Sequence, residues 1–218
     1  MLLNDNLKID WSEIEATTID DLLEAIDHGI LVSKLAASLS RKLGKDQNYC
    51  YCMALAGMVH DVGKLKLGNF IYGRKEDTLI IEEMKYVRMH PIIGKEVLKK
   101  QDFPDIIVES VYHHHENYDG SGYPRNIKGE NIPFGARILR VCDVFSALIS
   151  DRRYRKAYDL DTAIELMIEE VKNFDMKVFL AFLEVVHSDE FNEIQDFVNT
   201  INQKNYYQEN HYQRLLEI

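Results

Sequence analysis

The stretch Phe134–Ser150, FGARILRVCDVFSALIS, decides how this chain is read. Its apolar residues run over several helical turns, and it is too long for an ordinary strand. It therefore predicts a buried helix. In its middle stands Asp143, whose carboxylate would cost several kcal/mol if buried without a partner. Either a cation sits beside it, or Arg137 or Arg140 forms a buried ion pair with it.

Working outward, apolar residues keep recurring at helical spacing, and the 218 residues contain only 4 prolines. A long helix is expected over Ile19–Leu43, with Leu22, Leu23, Ile26, Ile30, Leu35 and Leu39 on its inner side and Gly44 after its basic end. Tyr51–His60 is a second helix, rich in small residues. Gly63–Asp77 reads as irregular and Glu82–His90 as helix. Pro91 opens another helix over Ile92–Lys100. Pro104–His115 continues helical, and YDGSGYPRNIKGENIP (118–133) is a loop dense in turn residues. Thr162–Val171 and Met176–Val186 complete the pattern. A polar tail follows from His187, with an aromatic-interleaved end read as frayed. The expected fold is all-α: a single domain at 19–186, a segment at 1–18 before it and a short helical tail at 187–218.

Hydrophobic residues make up 46% of the chain, enough for a sizeable core, and its formal net charge is −10. That acidity argues against binding a nucleic-acid polymer or a membrane surface, but not against a small phosphorylated ligand held by a few cations. Cys50, Cys52 and Cys142 are odd in number and form no CxxC pair, so neither a disulfide framework nor a structural zinc site is expected. The first residues carry no basic flank and no long apolar run, and a cytoplasmic location is the expectation.

Six of the eight histidines fall in four short segments. Singly, each has an ordinary explanation. His60 could end a helix near the negative end of its dipole. His28 could be a satisfied core residue, His90 a surface residue before Pro91, and His113–His115 a solvated patch. Together with Asp61 and Asp143 they form a set suited to transition-metal ions.

At this point the chain resembles the HD-GYP family of cyclic dinucleotide phosphodiesterases, within the HD superfamily of metal-dependent phosphohydrolases. The resemblance rests on HDVGK (60–64), HPIIG (90–94), HHENYDGSGYP (114–124), IKGENIPFGARIL (127–139), CDVFSAL (142–148), DRRYRKA (151–157) and NFD (173–175). It implies an HD-type domain of about seven helices. His28, His60, Asp61, His90, His114, His115 and Asp143 would hold two divalent ions, iron or manganese, with Asp61 bridging and His113 left out. Glu24, one turn before His28, would add a third ion as in some members. The resemblance further implies that Lys64 faces the scissile phosphate and that Arg152 and Arg155 clamp phosphate oxygens. Gly122, Tyr123 and Pro124 would shape a loop at the substrate opening that also meets partners, such as a diguanylate cyclase or another signalling protein. An oligomer is compatible with this pattern.

The implied reaction is hydrolysis of a 3′–5′ phosphodiester by a hydroxide held between the metals. Cyclic di-GMP is the first substrate reading, opened to the linear dinucleotide and further to GMP. Another cyclic dinucleotide such as cyclic GMP-AMP, or a weakly catalytic sensing and docking module, are the alternatives. The chain departs from the family pattern at Leu31, where arginine is usual, at Ser146, where an acid is usual, and at Arg153 and Met176, where prolines are usual. The segment Leu67–Asp77 also lacks the usual proline-containing pattern.

Overall fold

The computed structural model describes residues 16–67, 87–152 and 155–216. Its α-helices are α1 (Ala16–Lys42), α2 (Gln47–Val59), α3 (His90–Lys100), α4 (Asp105–Tyr112), α5 (Phe134–Ile149), α6 (Leu160–Glu169), α7 (Met176–Val186) and α8 (Phe191–Leu216). Short 3-10 turns occupy Val62–Leu67, Gly129–Asn131 and Val171–Asn173. No strand occurs among the described residues, and Arg152 and Arg155 form one isolated bridge. The all-α expectation stands.

The opening stretch is indeed the central helix. α5 buries Ala136, Ile138, Leu139, Val141, Cys142, Phe145 and Ile149, and packs against α1, α2, α4, α6 and α7. The Phe145 ring meets Phe182 of α7 at 4.8 Å and Phe191 of α8 at 6.1 Å. Burying side chains of this size contributes roughly 1.5–3 kcal/mol each. Three aspartates set helix starts by accepting a backbone N–H: Asp46 from Tyr49, Asp159 from Thr162 and Asp175 from Lys177. The Asp46 cap starts α2 four residues earlier than its apolar pattern predicts.

Several expectations need correction. Leu22, Leu23 and Ile26, read as the inner side of α1, are 44%, 47% and 45% exposed. The buried stripe lies further along, at Leu31, Val32, Leu35, Ala36 and Leu39. A 27-residue helix is about 40 Å long, and among the described residues its first turns are covered less than its middle. Leu31, where the family pattern has arginine, is fully buried. The helix expected through His115 ends at Tyr112, so the three histidines occupy the turn after α4. His90 opens α3 rather than closing the helix before it, and Met89 ahead of it is helical in φ and ψ. Most of the helix expected at 82–90, and the irregular stretch beyond Leu67, lie outside the described residues. The tail is not peripheral at its start: Phe191, Ile194, Val198 and Ile201 belong to the main core.

Candidate metal centre

The fold brings all seven expected ligands together, from five places in the chain. His28 lies in mid-α1, His60 and Asp61 at the end of α2, His90 at the start of α3, His114 and His115 after α4, and Asp143 in mid-α5. They fall into two groups, Asp61/His90/His114/His115 and His28/His60/Asp143, with the donor atoms of each group within 4.8 Å of one another. Asp61 spans both: Oδ1 is 3.2 Å from His90 Nε2 and Oδ2 is 3.4 Å from His60 Nε2. Asp143 turns Oδ1 to His28 Nε2 (3.1 Å) and His60 Nε2 (3.6 Å), with Oδ2 4.0 Å from His115 Nδ1. Gly63 permits the junction. A Cβ there would lie 2.0 Å from the His90 carbonyl oxygen, so only glycine lets the turn after Asp61 lie against the start of α3.

The hydrogen-bond pattern shows what the centre lacks. Nδ1 of His60, His90 and His114 each lies 2.5–2.7 Å from the carbonyl oxygen three residues earlier, of Gly57, Val87 and Val111. A carbonyl only accepts, so each Nδ1 carries a proton, and the neutral rings of His90 and His114 present a lone pair at Nε2. Nε2 of His90 and of His114 are nevertheless 3.2 Å apart. Two acceptors facing each other at that distance repel unless a cation lies between them. His60 Nε2 and Asp61 Oδ1 are also buried without a hydrogen-bond partner, a costly state that a metal ion would relieve. The donor set, imidazole with carboxylate, suits a transition metal.

Electrostatics agree. Burial pushes His90 down to about 4 and His115 down to about 3, and it holds His114 well below the usual histidine range. These rings are neutral near pH 7 and ready to ligate. Burial works to raise Asp61 and Asp143, yet His60 and Lys64 beside the first, and His28 and His60 beside the second, hold both well below the carboxylate range. Burial alone would lower His60, but Asp61 and Asp143 push it up to about 10. A paired carboxylate site that draws a proton this strongly also draws a metal cation. The alternative reading of Asp143, a buried pair with an arginine, fails: Arg137 pairs with Asp175 at 2.7 Å and Arg140 donates to Asn117 at 3.0 Å.

The loop after the histidines folds back on them. Tyr123 N–H donates to the His115 carbonyl (3.1 Å), and the Tyr123 ring stacks on His115 at 4.7 Å. A Cβ on Gly122 would lie 2.2 Å from Asn117 N, so this close return requires glycine. Buried Glu116 accepts the Arg125 N–H at 2.6 Å and ties down the far side of the loop. The Tyr123–Pro124 bond is cis. His113 faces Glu109 and Glu116, each at 3.6 Å, and stands outside both ligand groups, as expected.

A family model described as an HD domain matches residues 10–178. The chain belongs to the HD domain family. It is 36% identical over 160 residues to a cyclic di-GMP phosphodiesterase of Pseudomonas aeruginosa, covering 73% of this chain and 38% of that protein. It is 35% identical to a cyclic di-GMP phosphodiesterase response regulator of Xanthomonas campestris, covering 70% of this chain and 41% of that one. It is 32% identical to a 3′3′-cGAMP-specific phosphodiesterase of Vibrio cholerae, over 70% and 36%. The chain thus spans less than half the length of these relatives. An HDG"Y"P protein of Bdellovibrio bacteriovorus shares the fold, with a TM-score of 0.62 at 21% identity, over 75% of this chain and 53% of that one. The HD-GYP resemblance read from the motifs is shown by these matches.

The charged rim of this HD domain is arranged differently from the expectation. Lys64 Nζ lies 2.6 Å from Asp61 Oδ2, beside the centre. Arg152 Nη1 pairs with Glu24 at 3.0 Å, and its Nη2 lies 3.4 Å from His28 Nδ1. Glu24 is therefore an arginine partner here, outside both ligand groups. Ser146, where the family pattern is acidic, places Oγ 3.0 Å from the same His28 Nδ1. Arg155 turns to the backbone, donating to the carbonyls of Ala147 (2.6 Å), Leu148 (3.1 Å) and Lys156 (2.6 Å) and stacking on Tyr158. It caps the end of α5. Sequence reasoning missed Arg88 and Asn202, and it considered Arg140 only as a partner for Asp143. None belongs to a matched motif, although Arg88 and Arg140 stand two and three residues before the ligands His90 and Asp143. Asn202 of α8 accepts the Asp151 N–H at 2.9 Å and donates to the Ile149 carbonyl at 3.1 Å, fixing the corner that leads to Arg152.

Among the described residues no helix is long and apolar enough to cross a membrane.

Proposed function

We propose that this chain hydrolyses the 3′–5′ phosphodiester bonds of a cyclic dinucleotide, cyclic di-GMP first, giving the linear dinucleotide and then GMP. The observation that carries the reading is the pair of adjoining ligand groups joined through the two oxygens of Asp61. Two divalent ions, iron or manganese, held by His28, His60 and Asp143 and by His90, His114 and His115, with Asp61 between, would supply an activated water and neutralise phosphate charge.

The chain's own residues do the rest. Backbone carbonyls hold His90 and His114 in the ligating tautomer before any ligand arrives and turn His60 Nε2 towards the carboxylates, where a metal would displace its proton. Lys64, beside Asp61, adds a positive charge where the scissile phosphate would develop negative charge. Gly122, Tyr123 and Pro124 form the wall over His115, and that loop is also the surface proposed for a signalling partner. Arg152 reaches a phosphate only by leaving Glu24. A third ion through Glu24 would have to displace Arg152, so two ions are the proposed complement. Arg155 acts by fixing the corner that carries Arg152. A cytoplasmic location follows from the substrate class.

A second reading, cyclic GMP-AMP as substrate, is supported by the relatives of Vibrio cholerae bearing that specificity in their names. The test is turnover of both dinucleotides by manganese- or iron-loaded protein, resolved by chromatography. Cleavage of cyclic di-GMP at higher kcat/KM is expected. Cleavage of neither, by protein shown to hold two ions, overturns the proposal in favour of a sensing or docking module.

A further inference from the structure

The proposed substrate carries two phosphodiester groups, and one metal centre engages one of them. The second anion needs its own cations in a protein whose net charge is −10. The arginines expected to serve are committed elsewhere: Arg152 to Glu24, and Arg155 to three backbone carbonyls. Two others are not. Arg88 is exposed, its guanidinium lies 5.3 Å from the centroid of the Tyr123 ring, and among the described residues it makes no hydrogen bond or ion pair. Arg140 gives only its Nε, to Asn117, and its two Nη groups have no partner among the described residues.

Both sit at the centre's edge. Arg88 stands two residues before the ligand His90, and the Tyr123 ring beneath it stacks on the ligand His115, itself 4.9 Å from His90. Arg140 lies on α5 three residues before Asp143, on the same side of the helix. Asn117, which holds it, belongs to the loop that carries Tyr123. The two guanidiniums therefore reach one loop from separate elements, Arg140 from α5 at Asn117 and Arg88 from the segment leading into α3 at Tyr123. A guanidinium stacked on a ring keeps its in-plane N–H fork available, and that fork matches two phosphate oxygens.

We propose that Arg88, braced on Tyr123, and Arg140 form an anion clamp for the second, uncleaved phosphodiester of the cyclic dinucleotide. The clamp selects ligands with two phosphates over those with one. This inference rests on the cyclic dinucleotide reading of the metal centre.

The test compares cyclic di-GMP with bis(p-nitrophenyl) phosphate, a single phosphodiester, on manganese-loaded protein. Arg88→Ala and Arg140→Ala should each raise the ratio of KM for cyclic di-GMP to KM for the single diester by about tenfold, the loss of one charge-assisted contact. Arg88→Lys should recover part of it, since a point charge replaces the fork. Tyr123→Leu should raise the ratio in the same direction by removing the brace. Calorimetric titration with cyclic di-GMP reads the same loss as weaker binding, whether or not the ligand is cleaved. If the wild type turns over cyclic di-GMP and the ratio stays unchanged in both alanine variants, the clamp is overturned and the catalytic reading survives. If the wild type binds cyclic di-GMP without cleaving it, and Arg88→Ala weakens that binding, the catalytic reading fails and the clamp stands. If the wild type neither binds nor cleaves it, both fail.

Discussion

The two charged regions that meet at His28 differ in one respect: in one, buried ligating groups lack partners, and in the other the charges pair with one another or with the backbone. In the metal centre, neutral rings aim lone pairs at one another, and His60 Nε2 and Asp61 Oδ1 are buried with no hydrogen-bond partner. At the corner after α5, Arg152 has Glu24, Arg155 has the last carbonyls of α5, and Asp151 accepts Lys156 and the Ala157 N–H. Buried polar atoms with no partner are expensive, and where they are imidazole nitrogens and carboxylate oxygens gathered in groups within 4.8 Å of one another they suit a cation. Charges that already have partners must lose them before they can gain a ligand. The first region is preorganised for a cation, the second for holding its own shape.

The largest effect separates the regions at once. Asp61→Ala removes the one carboxylate that reaches both ligand groups and should lower kcat for cyclic di-GMP by at least about 10³-fold. Metal content measured by elemental analysis should fall with it. Turnover close to wild type in this variant would mean that the adjoining groups are not the reacting centre. Stripping the metals by chelation should have the next largest effect. It returns the facing lone pairs to their unrelieved state and forfeits linkage energy of about 4 kcal/mol for an ion held at a thousand times its Kd. That corresponds to a fall in Tm of roughly 10 °C for a chain of this size. Manganese should restore both melting temperature and turnover, and a Tm indifferent to chelation would contradict the reading of the centre.

How legible these regions were in the sequence follows from the same difference. The ligand set was legible through the family resemblance; the residues alone show that these histidines with Asp61 and Asp143 suit transition metals, and that Asp143 in an apolar helix needs a cation or an arginine. α2, α5 and α7 were legible from their apolar pattern, although the Asp46 cap and not the pattern fixed where α2 begins. At the corner the structure adds what the spacing does not carry. Arg155 bonds to main-chain oxygens, which every residue possesses, so no spacing of side chains could announce its role. The exposed start of α1 misled for a similar reason: periodicity says which face is apolar, and says nothing of how far the neighbours extend. The buried face of α8 was hidden in a polar segment, where Phe191, Ile194, Val198 and Ile201 are three to four residues apart.

Arg155→Ala probes the corner as scaffold. Losing the bonds to Ala147, Leu148 and Lys156 should cost about 1–3 kcal/mol, a charged donor leaving carbonyls unmet. The fall in Tm should be several degrees, with metal content unchanged. A selective rise in KM at constant Tm would instead return Arg155 to the role of phosphate clamp and blur the contrast between the regions.

Glu24→Ala is the finest test of the boundary between them. The Arg152–Glu24 pair is partly exposed, with side-chain exposures of 22% and 28%, so breaking it should change stability by less than about 1 kcal/mol. Its value lies in the metal count. If Glu24 only neutralises Arg152, the variant keeps two ions per chain. The freed guanidinium, no longer held at 3.0 Å from a carboxylate, can then turn to substrate phosphate, and KM should fall slightly. A count that drops from three to two in the variant would show that Glu24 gives up its arginine for an ion when metal is supplied. The self-satisfied arrangement at His28 would then belong to the metal-free protein alone, and the corner would have to be redrawn as part of the centre.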